Sequence, residues 1–135
     1  MRIMLDTNVL ISMIFFPGRK FQQMLEHITS NHRLVLSSFV IDELMAVADR
    51  KFPEKKINID KFLASLAYEL VYTPLNMKAG MFEIRDMNDY PVLYTAIVEN
   101  VDILITGDKD FIDIDVEKPD IFTPTDFFDK YILKQ

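Results

Sequence analysis

The sequence contains no cysteine among its 135 residues. This absence excludes disulfide scaffolds, thiolate zinc sites and cysteine nucleophiles. The chain also lacks any apolar run long enough to span a membrane, and Asp6 interrupts the first apolar segment before a signal-peptide core could form. We therefore expect a soluble cytoplasmic protein with no membrane association.

The chain has fewer basic residues than acidic residues. The chain has 15 lysines and arginines against 21 aspartates and glutamates, which gives a net charge of −6, and the deficit falls in residues 61–135. Binding nucleic acid through bulk electrostatics requires an excess of basic residues, so we do not expect that mode here. The alternative is that some of the acids surround bound cations.

The hydrophobic content is high, at 50% of residues, and 27% of residues are charged. Disordered chains combine low hydrophobicity with high net charge, so this balance is typical of a folded protein. We expect a single domain over residues 1–135 that buries roughly two-thirds of its unfolded surface.

Short apolar segments alternate with helical patterns along the chain. Strands are predicted at residues 2–5, 34–36, 103–105 and, at a sheet edge, 121–122, while residues 72–74 either end a helix or form a brief strand. Helices are predicted from Thr7 to the Phe16-Pro17-Gly18 breaker, at 21–31, from Ser37 or Ser38 to before Pro53, at 62–70, around Pro91, and after a Thr125 cap. This alternation predicts an α/β fold with three layers, in which helices cover both faces of a mostly parallel sheet of four to five strands.

Acidic residues recur where these strands end. Asp6 follows the first strand, Glu43 lies early in the helix after the second, and Asp108 and Asp110 follow the third, while Asp89 lies at the start of the helix that leads into that strand. Ligand sites in open α/β sheets lie beyond the carboxyl ends of the strands. We therefore expect these five carboxylates to gather at one edge of the sheet.

Several carboxylates that lie this close cannot all ionise without compensation, because like charges raise one another's pKa. Mg²⁺ or Mn²⁺ would resolve the conflict, since both take oxygen ligands, and Mg²⁺ shares its shell between carboxylates, waters and substrate phosphates. Such a site points first to phosphoryl chemistry. Three polar neighbours, Thr7, Asn8 and Thr106, could orient metal-bound waters, although helix capping is an equal alternative for Thr7.

Each acid has a simpler interpretation when it is considered alone. Asp6 and Asp89 could cap helices, Glu43 could be an exposed acid in a first helical turn, and Asp108 and Asp110 could be turn residues beside Gly107. These interpretations leave unexplained why acids repeat at one edge. The two histidines, His27 and His32, have no partner at metal-ligand spacing and are interpreted as surface residues.

Four segments of the chain together resemble PIN-domain ribonucleases. They are Asp6-Thr7-Asn8-Val9-Leu10 after the first strand, Ser37 with Asp42-Glu43-Leu44, Arg85-Asp86-Met87-Asn88-Asp89 followed by Leu93 and Ala96, and Ile105-Thr106-Gly107-Asp108-Lys109-Asp110-Phe111. The order and spacing of these segments match the family from Ile3 to about Phe127, which is nearly the whole chain.

The resemblance implies a Mg²⁺- or Mn²⁺-dependent endoribonuclease that acts on single-stranded RNA. It is closest to the toxins of VapBC-like toxin–antitoxin pairs, which implies an antitoxin protein as a partner and a homodimer. By the same resemblance Asp6, Glu43 and Asp89 are metal ligands and catalytic residues. Asp108 is the fourth acid, with Asp110 as its rival, and Asp86 is the fallback for Asp89.

Two alternatives come from other functional classes. A phosphoacceptor receiver domain is also a small Mg²⁺-binding α/β fold, but it requires an acid pair after the first strand, where Thr7 follows Asp6. A phosphatase with an aspartate nucleophile would need a second aspartate at position 8, which is asparagine. A non-catalytic module whose acids bind a basic partner stays open.

Overall fold

The computed structural model describes residues 1–111 and 113–134, and within them five strands form one sheet. The strands are β1 (Arg2–Leu5), β2 (Arg33–Ser37), β3 (Glu69–Val71), β4 (Ile103–Ile105) and β5 (Asp120–Phe122). They lie in the order β3-β2-β1-β4-β5, and every neighbouring pair is parallel. The predicted α/β class with a parallel sheet is confirmed, at the upper end of the predicted strand number.

Helices connect β1 to β2, β2 to β3 and β3 to β4, whereas the described part of the connection from β4 to β5 contains only a 3₁₀ turn. The helices are α1 (Thr7–Phe15), α2 (Arg19–Asn31), α3 (Ser38–Lys51), α4 (Lys56–Ser65), α5 (Tyr90–Val98) and α6 (Pro124–Phe128), of which α6 follows the last strand. Short 3₁₀ turns occupy Pro53–Lys55, Met87–Asp89 and Lys109–Phe111, and a π-helical turn, Asp129–Leu133, follows α6. No helix in the described part of the chain is both long enough and apolar enough to cross a membrane.

The central strands are buried on both faces of the sheet. Successive residues of a strand point to opposite faces, yet Ile3, Met4 and Leu5 of β1 are all fully buried. The same holds for residues 34–36 of β2 and 103–105 of β4. Helices must therefore cover both faces, and each such side chain contributes about 1.5–3 kcal/mol through its burial.

Polar side chains fix the points where three helices begin. Asp6 accepts the N–H of Val9 at 3.1 Å and so caps α1, and Ser37 accepts the N–H of Val40 at 3.2 Å and caps α3. These caps place the helix starts directly at the carboxyl ends of β1 and β2. The cap of α6 is Thr123, not Thr125 as predicted, because Pro124 takes the first helical position and Thr123 accepts the N–H of Asp126 at 3.1 Å.

The helix predicted over residues 62–70 is wrong in its second half. The helix α4 ends at Ser65, and Leu70 lies in β3, where it is paired with Leu36 of β2. The spacing of Leu66, Ala67 and Leu70 suits a helix, but pairing with the exposed edge of β2 satisfies the backbone of this segment better. Both histidines, which were predicted to lie on the surface, are half-buried; Nε2 of His27 is fully buried, and its ring packs edge-on against Phe127.

Candidate metal centre

The carboxyl ends of β1 and β4 meet at one edge of the sheet. The N–H of Asp6, the first residue after β1, donates to the carbonyl of Ile105, the last residue of β4, at 3.1 Å. The residue that follows Ile105 is Thr106, which is buried, and its hydroxyl donates to Oδ2 of Asp6. Two segments that are far apart in sequence therefore bring their first polar residues into contact.

Asp6 is both a helix cap and part of the acidic cluster. It is only 5% exposed, and its two oxygens accept hydrogen bonds from the N–H of Val9 and the hydroxyl of Thr106. Burial raises the pKa of Asp6 to about 6, and the charges of Asp108 and Glu43 act in the same direction. The hydrogen bonds oppose this rise without cancelling it.

Glu43 reaches the same edge from α3. The hydroxyl of Thr7, which is buried at the start of α1, donates to Oε1 of Glu43. The hydroxyls of Thr7 and Thr106 thus donate directly to carboxylates, which holds those carboxylates in fixed orientations.

Three further acids form a closer group. Asp89, Asp108 and Asp110 each offer a carboxylate oxygen, and these oxygens lie within 4.8 Å of one another. Asp89 ends the 3₁₀ turn before α5, while Asp108 and Asp110 follow β4. The N–H of Asp108 donates to Thr106 Oγ1 at 3.0 Å, and the N–H of Asp110 donates to Oδ1 of Asp108 at 2.9 Å, so the loop is folded around its own acids.

The environment of Asp89 is unfavourable for a lone negative charge. Its Oδ2 is buried and has no hydrogen-bond partner in the described part of the chain. Burial raises the pKa of Asp89 to about 7, helped by its close approach to the carboxyl of Asp108 and by the charges of Asp86 and Asp6. A buried oxygen without a partner is rare in folded proteins, and a bound cation is one arrangement that would satisfy it.

The arrangement fits a divalent cation. A cation close to Asp89, Asp108 and Asp110 would supply the missing partner of Asp89 and would favour the ionised carboxylates, which burial and the neighbouring negative charges disfavour at Asp6 and Asp89. Carboxylate oxygens alone make up the donor set, which favours Mg²⁺ or Mn²⁺ over metals that prefer sulfur or imidazole ligands. Asp6 and Glu43 stand beside the three-residue group and are not part of it.

Two other predicted residues lie at the periphery. Asp86 is exposed, and its Oδ1 accepts the N–H of Asn88 at 2.9 Å, so it is engaged in shaping the turn before Asp89. Asn8 is exposed in the first turn of α1. Of the five acids expected at this edge, the structure gathers Asp89, Asp108 and Asp110 tightly, with Asp6 and Glu43 near enough to affect one another's surroundings.

Arg85 is the residue at this site to which the sequence assigned no role. Its Nη1 lies 3.7 Å from Oδ1 of Asp110. An arginine that meets an aspartate 25 positions away leaves no local pattern, so only its place directly before Asp86 in the third acidic segment could have drawn attention to it.

Comparisons with known proteins agree on the fold. The model of a family described as PIN domain matches residues 2–110. No curated protein matches the chain. Among similar solved structures is that of VapBC2 from Rickettsia felis bound to a DNA fragment from their promoter, with a TM-score of 0.71 and 21% sequence identity, over 91% of this chain and 98% of that one. At this identity the likeness shows a shared fold and nothing finer.

Proposed function

This chain belongs to the PIN-domain family, whose members are generally nucleases, and from that premise we propose that it is a metal-dependent endoribonuclease that hydrolyses phosphodiester bonds in single-stranded RNA. The observation that carries the proposal is the group formed by Asp89, Asp108 and Asp110, together with the buried, unpartnered Oδ2 of Asp89. An acidic surface that binds a basic peptide would not need a buried carboxylate oxygen such as Asp89 Oδ2, because exposed charges serve that purpose at lower desolvation cost.

Asp89, Asp108 and Asp110 would hold the metal. Asp6 would be a neighbouring ligand, and Glu43 would add a further negative charge beside it. When bound, Mg²⁺ or Mn²⁺ lowers the pKa of a coordinated water and stabilises negative charge on a phosphodiester under attack. Asp108 and Asp110 both belong to this close group, so either can serve as the fourth acid of the family pattern.

The chain's own residues keep these carboxylates in place before any ligand arrives. Thr106 fixes Asp6, Thr7 fixes Glu43, and the backbone of Asp110 fixes Asp108. Oriented acceptors that need little rearrangement favour both metal binding and catalysis. These acids would repel RNA without a bound cation, so productive contact with RNA would depend on the cation that they hold.

The test of this function is cleavage of a panel of single-stranded RNAs by the purified protein with Mn²⁺, with Mg²⁺ and with EDTA. We expect cleavage with either ion and none with EDTA. A calorimetric titration of Mn²⁺ into the same protein separates the two main alternatives, because a non-catalytic scaffold should bind the ion negligibly. Cleavage that persists in EDTA, or negligible Mn²⁺ binding, would contradict the proposal.

We further propose that the protein is the toxin of a toxin–antitoxin pair and acts in the cytoplasm as a homodimer. What suggests this proposal is that one chain of the solved VapBC2 structure shares the fold of this chain, together with the family resemblance of the four acidic segments. The assignment predicts that expression of the chain alone arrests growth, and that co-expression with the product of an adjacent reading frame relieves the arrest and yields a co-purifying complex. Sedimentation of the isolated chain tests the homodimer.

A further inference from the structure

A positive side chain stands at the border of the acidic cluster. The Arg85 side chain is 86% exposed, and its guanidinium lies 3.7 Å from Oδ1 of Asp110, which belongs to the three-residue acidic group. An open cleft of about 370 Å³ begins here, and both Arg85 and Asp110 line it. Arg85 therefore lies between the candidate metal centre and an adjoining cleft.

The ion pair between Arg85 and Asp110 is weak enough to be exchanged. A separation of 3.7 Å at a largely exposed guanidinium is worth about 0–1 kcal/mol, because water screens both charges. If Asp110 turns its oxygens toward a bound cation, Arg85 loses its partner at little cost. A guanidinium presents donors that match phosphate oxygens in pairs, so a released arginine is well suited to a phosphate.

The rest of the cleft supports a nucleotide rather than a small anion. Ile84 and Ile114 give it apolar walls, and Lys109 adds a second cation beside Arg85. Three acids, Glu83, Asp110 and Asp113, also line the cleft and repel phosphate. A phosphate could therefore be retained in this cleft only by Arg85 and Lys109. Of these two, Arg85 contacts Asp110 of the acidic group.

We propose that Arg85 binds the RNA phosphate that neighbours the scissile bond and places the flanking nucleotide in the cleft between Ile84 and Ile114. Arg85 is in this role a substrate-positioning residue, and the proposal rests on the proposed ribonuclease function. In the structure Arg85 contacts Asp110, and in the proposed complex it binds the RNA strand.

The experiment compares Arg85→Gln with Arg33→Gln as a matched control. Arg33 is also an exposed arginine: its side chain is 68% exposed, and its guanidinium lies 3.8 Å from the carboxylate of Glu69. Because Arg33 is the first residue of β2, it lies at the amino ends of the strands, opposite the candidate metal centre. We expect R85Q to raise the KM for RNA cleavage about fivefold with kcat unchanged. The slope of log(kcat/KM) against log salt should become shallower by about 0.7, the value for one contact to a single-stranded phosphate. R33Q should change neither, and Arg85→Lys should recover part of the loss.

Binding is measured separately from cleavage by fluorescence anisotropy of a single-stranded RNA, with Asp89→Asn as the background that we expect not to cut. Adding R85Q to that background should weaken binding about fivefold, and adding R33Q should not. Unchanged thermal melting confirms that the exposed substitution leaves the fold intact.

The outcomes separate this proposal from the function on which it rests. If the wild-type protein cuts no RNA with Mn²⁺, the ribonuclease function fails, and the anisotropy comparison still decides whether Arg85 contacts RNA. If the wild-type protein cuts RNA and R85Q behaves like R33Q in KM, salt slope and affinity, the role of Arg85 is overturned alone. Weaker Mn²⁺ binding by R85Q with KM unchanged would also overturn it, because Arg85 would then act only by holding Asp110.

Discussion

The hydroxyl of Thr106 donates to Oδ2 of Asp6, although 100 positions separate the two residues. The same hydroxyl oxygen accepts the N–H of Asp108 at 3.0 Å. One buried side chain thus links the carboxylate that follows β1 to the loop that follows β4. This contact orients Asp6 and connects it to the loop that carries Asp108.

Replacing Thr106 by valine removes the donor to Asp6 while conserving side-chain volume. We expect the affinity for Mn²⁺ to fall about tenfold or more, because groups that orient metal ligands commonly contribute this much. Titration calorimetry measures the change. Thr106→Ser keeps the hydroxyl and should bind Mn²⁺ nearly as well as the wild type, so equal losses in both variants would show that packing at this position matters and the hydrogen bond does not.

Asp89→Asn should abolish metal-dependent RNA cleavage and yet stabilise the metal-free protein. The asparagine removes a charge that burial and neighbouring acids oppose, and we expect a gain of about 1 kcal/mol in the free energy of unfolding after solvent screening is considered. Urea denaturation in EDTA measures it. The matched control is Asp42→Asn, which changes an exposed acid beside Glu43 and should alter neither property.

Most of the fold could be predicted because the strands are short apolar runs that end at polar residues. Residues such as Ile3-Met4-Leu5 followed by Asp6 combine a buried strand with a helix cap, and both signals are local. The strand β3 carried no such signal, since Leu70 has helical spacing from Leu66 and only its pairing with Leu36 decides the outcome. The start of α6 could have been placed correctly, because proline at position 124 favours Thr123 as the cap.

The gathering of acids could also be predicted, because parallel strands bring their carboxyl ends to one edge. The burial of Asp89 Oδ2, the bond from Thr106 to Asp6 and the approach of Arg85 to Asp110 could not. Each depends on how two segments that are far apart in sequence pack together, and no local sequence pattern encodes that packing. The assignment of individual acids as metal ligands stays a prediction.

Two tyrosines of α5 form hydrogen bonds to Lys78, in the segment that precedes the site. The hydroxyl of Tyr90 donates to the carbonyl of Lys78, and the hydroxyl of Tyr94 accepts the N–H of Lys78 at 3.0 Å. Because α5 directly follows Asp89, we expect Tyr90→Phe to loosen both the segment and the metal centre, at a cost of about 1 kcal/mol in stability. Faster hydrogen exchange at residues 78–81 is the direct measurement, and Tyr68→Phe, whose side chain lines a cleft with His32 and Arg33, should leave that exchange unchanged.

The metal-free protein should lose stability as the pH rises through about 6 to 7. The folded state raises the pKa of Asp6 to about 6 and of Asp89 to about 7, from an ordinary value of 3.8, so it binds these protons more tightly than the unfolded chain does. The resulting stabilisation is complete below the ordinary value and disappears as each carboxyl ionises. Thermal melting in EDTA should therefore show a lower Tm at about pH 8 than at about pH 5, and Mn²⁺ should restore it. The double variant D6N/D89N should flatten this profile, because neither position can then ionise. A wild-type Tm that rises over this range relative to the double variant would show that burial and neighbouring charge do not disfavour ionisation of the two carboxyls, which would contradict the proposed metal centre.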